Sequence, residues 1–165
     1  MTSDTSLPLL ALRNLLTELV EGPSDAGAWV LGRGDLGLTD TLEALSVEVA
    51  SRPPASGRNT IAAHAGHVKY GLELLNRWAG GEENPFADAD WPGSWRGQVV
   101  TQPQWNDLVA GLREQALAWI TALQSPRKWD EISFTGAIAS AAHLAYHLGA
   151  IRQLAIVLAS EDATD

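Results

Sequence analysis

The sequence predicts an all-α fold, a four-helix bundle with a long crossover loop between its second and third long helices. Apolar residues recur at helical spacing in four long segments, and loops rich in Gly and Pro separate these segments. No segment shows the alternating pattern of a β-strand, and no internal repeat is present. Because a length of 165 residues is typical of one domain, we expect residues 1–165 to form a single domain.

The first half of the chain is predicted to hold two long helices and one short helix. The first long helix is predicted over residues 7–20, with Ser6 as a possible cap and the Gly22–Pro23 pair as its end. A loop with several glycines follows, and then a short helix over residues 39–49. The second long helix is predicted over residues 59–79, because Asn59 or Thr60 can cap it and two glycines follow it.

The second half is predicted to begin with the long loop and to end with two further long helices. Residues 82–97 are acidic, aromatic and rich in turn residues, and loops of this length in a compact domain are usually functional or connecting. The third long helix is predicted from Thr101 to a stop at Pro126, with Pro103 in its first turn. After a link over residues 129–134, the fourth is predicted over residues 135–160.

Charge and cysteine content exclude several classes of function. The formal net charge is −9, which argues against binding to a nucleic-acid backbone or to an anionic membrane surface. The chain contains no cysteine, which excludes a disulfide framework, a thiolate nucleophile of its own and a Cys-based metal site. No basic region precedes the first apolar segment, and no run of about 18 apolar residues occurs. We therefore expect a cytoplasmic protein that has no nucleic-acid or membrane partner.

All four histidines fall in two close pairs. His64 and His67 are three residues apart on the second long helix, and His143 and His147 are four apart on the last one. Both spacings place the two rings on one face of a helix, and in both cases this is the apolar face. We therefore expect four imidazoles to point toward the core of the bundle.

A divalent metal ion explains such a cluster well, because buried imidazole nitrogens need partners and a metal satisfies several at once. Three histidines with an open position are the ligand set of a catalytic zinc site, and imidazole also suits other transition metals. The alternative is a set of core histidines that bond to Ser, Asn or backbone groups. A HExxH protease is excluded, since no Glu lies between His143 and His147 at the required position.

Other candidate site residues carry weaker signals. Trp91, Trp95 and Tyr146 are candidates for the substrate pocket, although each can equally be a packing residue that covers the core. Asp88 and Asp90 can offer a carboxylate to the site or can be solvated loop residues. Nothing in the sequence assigns a catalytic residue.

Two stretches around the histidines resemble motifs of the DinB/YfiT-like superfamily, a group of metal-dependent enzymes. These are NTIAAHAGHV at residues 59–68 and AHLAYHLGAIRQ at residues 142–153. The family pattern has one His on the second helix, after a Thr/Ser-Ile start, and His-x3-His on the last helix. The Gly and the basic-Gln pair after the second motif make it the more specific of the two. The Arg152–Gln153 pair can bond a ligand or the loop.

The resemblance implies a four-helix bundle, a homodimer and a divalent metal ion, such as zinc, nickel, manganese or iron, held by three histidines. By register, seven residues after Thr60, these ligands are His67, His143 and His147. His64 departs from the single-His pattern, and the choice between it and His67 stays open. It is a candidate fourth ligand, a partner of a ligand or a proton carrier.

The resemblance also implies a range of functions. Similar proteins transfer a low-molecular-weight thiol, bacillithiol or mycothiol, onto a small-molecule electrophile, isomerise maleylpyruvate with mycothiol, or are stress-inducible proteins with no shown activity. We therefore consider a metal-dependent thiol S-transferase in detoxification or stress response. The alternatives are a metal-dependent hydrolase of small molecules and a stress-induced binding protein that is not an enzyme.

Overall fold

The computed structural model describes residues 6–25, 27–54 and 57–162, and this part of the chain is all-α, as predicted. None of the described helices is long and apolar enough to cross a membrane. The helices are α1 (Ser6–Glu21), α2 (Leu38–Glu43), α3 (Val47–Ser51), α4 (Ile61–Ala79), α5 (Gln102–Ala122) and α6 (Glu131–Asp162), and a 3-10 turn (Gly93–Trp95) lies between α4 and α5.

The four long helices pack around one apolar core. Helix α4 lies against α5 and α6, and α1 lies against α6 and α5, while the short α2 and α3 pack onto their flanks. Trp119 at the centre is fully buried, and its Nε1–H donates to Ser140 Oγ, which ties α5 to α6. Burial of each large side chain stabilises the fold by about 1.5–3 kcal/mol. The other fully buried large side chains include Leu16, Leu112, Leu144, Leu148 and Ile151.

Two helices differ most from the predicted ones, and capping side chains explain both differences. The short helix predicted over residues 39–49 is divided into α2 and α3, because Ser46 Oγ accepts from Val49 N and starts a new helix. Helix α6 begins at Glu131, within the predicted link, because Asp130 Oδ1 accepts from Ser133 N at 2.7 Å. Both changes lie away from the histidine pairs, which keep their positions on α4 and α6.

Thr60 determines where α4 begins. Its Oγ1 accepts from Ala63 N at 3.2 Å and donates to the carbonyl oxygen of Gln98 at 2.7 Å. The backbone N–H of Thr60 donates to Gln98 Oε1 at 2.9 Å, so Gln98 closes the end of the crossover loop onto the start of α4. The other end of the loop is held further along α4, where Asp90 N donates to Tyr70 Oη. The loop is therefore fixed along the helix that carries His64 and His67.

The segment between α1 and α2 is held by two charged side chains. The Glu18 carboxylate, 4% exposed, accepts hydrogen bonds from the backbone N–H groups of residues 29–31 at 2.7–3.0 Å. Burial raises the pKa of Glu18, but the three backbone donors together lower it by more than burial raises it. The pKa of Glu18 therefore lies below its ordinary range. Arg152 on α6 bonds to Asp35 Oδ2 and to the carbonyl oxygen of Leu36. Arg152 thus bonds the segment between α1 and α2, not the crossover loop.

Candidate metal centre

Three histidine rings from α4 and α6 meet between these helices. His143 Nε2 lies 3.2 Å from His67 Nε2 and 3.0 Å from His147 Nε2. One nitrogen of each ring lies within 4.8 Å of the corresponding nitrogens of the other two. The contact between His143 and His147 is local to α6, because residues four apart on a helix are neighbours. His67 reaches this pair from α4, so the cluster exists only in the folded protein.

A hydrogen bond from the crossover loop orients His67. Its Nδ1 lies 2.7 Å from Ser94 Oγ, and that hydroxyl donates its own proton to the carbonyl oxygen of Trp91, also at 2.7 Å. Because a hydroxyl has only one proton to donate, Ser94 must accept from His67 Nδ1–H. The neutral ring therefore carries its proton on Nδ1, and Nε2 presents a lone pair to the cluster.

His64 orients His147 in a similar way. The Nδ1 atoms of the two rings are 2.9 Å apart, so one ring donates and the other accepts. When His147 donates from Nδ1, its Nε2 keeps a lone pair that faces His143 and His67. His64 itself lies outside the group of three, on the far side of the His147 ring. Of its predicted roles, this placement matches that of a partner to a ligand.

Burial keeps the rings neutral at neutral pH. Desolvation first, and then the nearby His143 and His64, lower the pKa of His67 to about 4. Desolvation and the three other rings lower the pKa of His147 to about 3. Desolvation also lowers the pKa values of His64 and His143. Metal binding requires neutral imidazoles, so the cluster is already in the protonation state that a metal ion needs.

The donor set fits a divalent metal ion. Two imidazole nitrogens that bind one tetrahedral zinc at about 2.0–2.1 Å lie roughly 3.3 Å apart, close to the distances from His143 to its two neighbours. Lone pairs this close repel one another, and a cation between them removes the repulsion. No carboxylate belongs to this group of three. Three ring nitrogens leave a further coordination position for a ligand, as in catalytic zinc sites.

Two tryptophans of the crossover loop cover the His67 ring. Trp95 stacks on it with ring centroids 4.1 Å apart and an angle of 18° between the planes, and it also meets the His64 ring edge-on. Trp91 lies 5.6 Å from the His67 ring and is 38% exposed. Trp95 therefore shields the histidine cluster, whereas Trp91 lies at the border between the cluster and solvent.

The remaining predicted residues lie at the margin of the cluster or outside it. Tyr146 is 69% exposed, and its ring meets His147 edge-on at 5.0 Å. Asp90 Oδ1 accepts from Gly93 N, and its carboxylate pairs with Arg96, so it shapes the 3-10 turn. Asp88 is an exposed loop residue. Neither carboxylate joins the three histidines.

Ser94 and Gln98 are the site residues that the sequence reasoning missed. Ser94 orients His67, and Gln98 Nε2 holds the loop by donating to the carbonyl oxygen of Trp95 and to Asn59 Oδ1. The pattern of Asp90 followed by Gly93 and Ser94 could have predicted a turn, since Asp side chains accept hydrogen bonds from backbone groups in such turns. That signal predicts a turn, but it does not show which helix the turn faces.

Comparison with known proteins identifies the family. The search of curated proteins and the search of solved structures found no match. A family model described as the DinB superfamily matches residues 37–151, which is more than half of the chain. The matched region contains α4, the crossover loop and the part of α6 that carries His143 and His147. The chain therefore belongs to the DinB superfamily.

Proposed function

We propose that the protein is a metal-dependent S-transferase that joins a low-molecular-weight thiol to a small electrophile. His67, His143 and His147 would hold the metal ion. One observation carries the proposal: three ring nitrogens from two helices converge, and the outer nitrogens of His67 and His147 are bonded to Ser94 and His64. Histidines that only pack in a core have no need for this arrangement, because each could take a separate polar partner.

The absence of cysteine favours a thiol as co-substrate. The chain cannot supply its own sulfur nucleophile, so sulfur chemistry at this site needs a thiol that enters from solution. A divalent cation held by the three histidines would supply the positive charge that favours the thiolate form at neutral pH. The thiol proton leaves to solvent, a carbon–sulfur bond forms, and the leaving group departs with the electron pair of its bond to carbon.

The surroundings of the cluster favour thiol transfer over hydrolysis. Metal-dependent hydrolases of the HExxH kind pair the metal with a Glu as general base. Within the described residues, the hydrogen-bond and ring partners of the three histidines, apart from one another, are Ser94, His64 and the aromatic side chains of Trp91, Trp95 and Tyr146. Ser94 Oγ is already committed to two hydrogen bonds. A soft sulfur nucleophile that is already ionised does not require a carboxylate base.

The proposal is tested with untagged protein that has been incubated with zinc. The substrates are a chlorodinitrobenzene and either bacillithiol or mycothiol, and mass spectrometry follows the thioether product and the released chloride. We expect turnover that requires the thiol and that is lost in His143→Ala. Ile156→Ala is the matched control, because it changes an exposed side chain on the same helix and should keep the wild-type rate.

Two outcomes would contradict the proposal. Hydrolysis of chlorodinitrobenzene or of ester substrates without any thiol would identify a hydrolase. Equal rates for wild type and His143→Ala would show that the histidine cluster takes no part in the reaction.

A further inference from the structure

A recess of about 300 Å³ lies beside the histidine cluster, between α4, α6 and the crossover loop. His143 forms part of its wall, so the recess adjoins the proposed reaction centre. A cavity of about 150 Å³ lined by aliphatic and aromatic groups binds benzene, and this recess therefore has room for a substituted ring. Its large apolar side chains are Val68, Leu72, Leu75, Phe86, Trp91 and Leu144.

The recess has no charged wall. Within the described chain, no Asp, Glu, Lys or Arg lines it, and the polar side chains are those of Ser140 and His143. Ser140 Oγ donates to the carbonyl oxygen of Ala137 and accepts from Trp119 Nε1, so its proton is already used inside the core. A charged ligand group would lose its hydration here without gaining a charged partner among the lining side chains.

His143 offers the recess a donor beside the histidine cluster. Its Nε2 faces the other two histidines, and its Nδ1 lies on the side of Gly71, 3.9 Å from where a Cβ at that glycine would be. When Nε2 provides a lone pair to a metal ion, the proton of the neutral ring is on Nδ1. No hydrogen-bond partner of Nδ1 occurs among the described residues.

We infer that this recess binds the electrophile and selects an uncharged, largely apolar molecule with one hydrogen-bond acceptor, which receives the His143 Nδ1–H. The inference rests on the proposed function, because it names the substrate class of the same site. Apolar walls supply affinity and one placed donor supplies orientation, as in most small-molecule sites. An acceptor bonded to His143 would lie beside the centre from which the thiol attacks.

Two glycines, Gly71 and Gly136, line the recess, so substitutions there can fill it and test the inference. A Cβ at Gly136 would meet no atom within 4 Å, and a Cβ at Gly71 would make ordinary contacts of 3.7 Å with His143 and 3.8 Å with Trp91. Both positions therefore accept larger side chains without a clash at Cβ. Gly149 is the matched control, because it also lies exposed on α6 with open space around it and does not line the recess.

The test is a binding titration followed by the amide resonances of Gly71 and Gly136 in protein incubated with one equivalent of zinc. Acetophenone is compared with α-methylstyrene, which replaces the carbonyl oxygen by a methylene group. Methyl phenyl sulfone is compared with benzenesulfonate, which differs by its charge. We expect acetophenone to bind about threefold to tenfold more tightly than α-methylstyrene, as one hydrogen bond predicts. Benzenesulfonate should bind at least about tenfold more weakly than the sulfone.

Two glycine substitutions test whether acetophenone binds in the recess. Gly136→Leu should abolish the acetophenone shifts at Gly71, whereas Gly149→Leu should leave them unchanged. Equal binding of acetophenone and α-methylstyrene, or shifts that persist in Gly136→Leu, would overturn the inference.

The zinc content of the same samples separates the two proposals. One equivalent of bound zinc without acetophenone shifts contradicts this inference and leaves the proposed function standing. Selective acetophenone binding in a protein that takes up none of zinc, nickel, manganese and iron contradicts the proposed function and supports the recess as a site for uncharged acceptors.

Discussion

His67 donates its Nδ1–H to Ser94 Oγ across 2.7 Å, and this bond joins the crossover loop to the histidine cluster. The loop thereby determines which nitrogen of His67 faces the other rings. Gln98 and Tyr70 hold the loop along α4, so the orientation of one ring depends on contacts spread over the first half of that helix.

Ser94→Ala should weaken zinc binding and leave the fold intact. The substitution removes the acceptor for His67 Nδ1–H, and loss of such a partner typically lowers metal affinity by about 10- to 100-fold. Competition with a chromophoric chelator measures the change. Ser125→Ala, in the exposed link after α5, is the control and should bind zinc as the wild type does. Equal affinities for Ser94→Ala and wild type would refute the orienting role.

His64→Ala should reduce zinc affinity but preserve one equivalent of bound zinc at saturation. His64 contacts His147 Nδ1 rather than the centre of the group, so its removal costs about tenfold in affinity or somewhat more. His64→Asn should recover part of the loss, since its carbonyl oxygen can accept from His147. A complete loss of zinc in His64→Ala would instead make His64 a ligand.

Thr60→Ala should destabilise the start of α4 and the end of the crossover loop together. Loss of a Thr cap costs about 1–2 kcal/mol, and here the same hydroxyl also donates to Gln98. The free energy of unfolding, from urea titration followed by circular dichroism, measures the effect. Thr60→Ser keeps both bonds and should lie within about 0.5 kcal/mol of wild type. If both variants are equally stable, the hydroxyl does not cap the helix.

Glu18 should make stability depend on pH in the acidic range. Its pKa in the folded state lies below the ordinary value of 4.5, so its contribution is complete above that pH and is lost as the pH falls through the folded pKa. At neutral pH, Glu18→Gln should cost about 1–3 kcal/mol, because three backbone donors lose a charged acceptor. The difference between the two proteins should shrink below pH 4.5. A difference that stays constant down to the acid transition would contradict this account.

Much of the architecture could be predicted because helix periodicity and capping residues are local signals. The four long helices, the loop between α4 and α5 and the placement of His67 and His147 on buried faces all follow from such patterns. The early start of α6 was missed because Asp130 and Ser133 cap it with bonds that are not visible as periodicity.

The finer features of the site depend on tertiary contacts that the sequence does not show. The pairing of His67 with Ser94 joins residues 27 positions apart, and that of His64 with His147 joins residues 83 positions apart. Periodicity places each ring on a helix face, but it cannot say which nitrogen faces which partner. The recess beside His143 depends in addition on Phe86 and Trp91, which reach it from the loop.

The most direct test of the metal centre is elemental analysis of untagged protein beside His143→Ala. His143 contacts both other members of the group, so its loss removes the ring that joins them. We predict about one equivalent of zinc, nickel, manganese or iron in the wild type, and loss of that metal in a variant that remains folded by circular dichroism. Absence of metal from the wild type, even after incubation with each of these ions, would contradict the account and leave four histidines that serve packing alone.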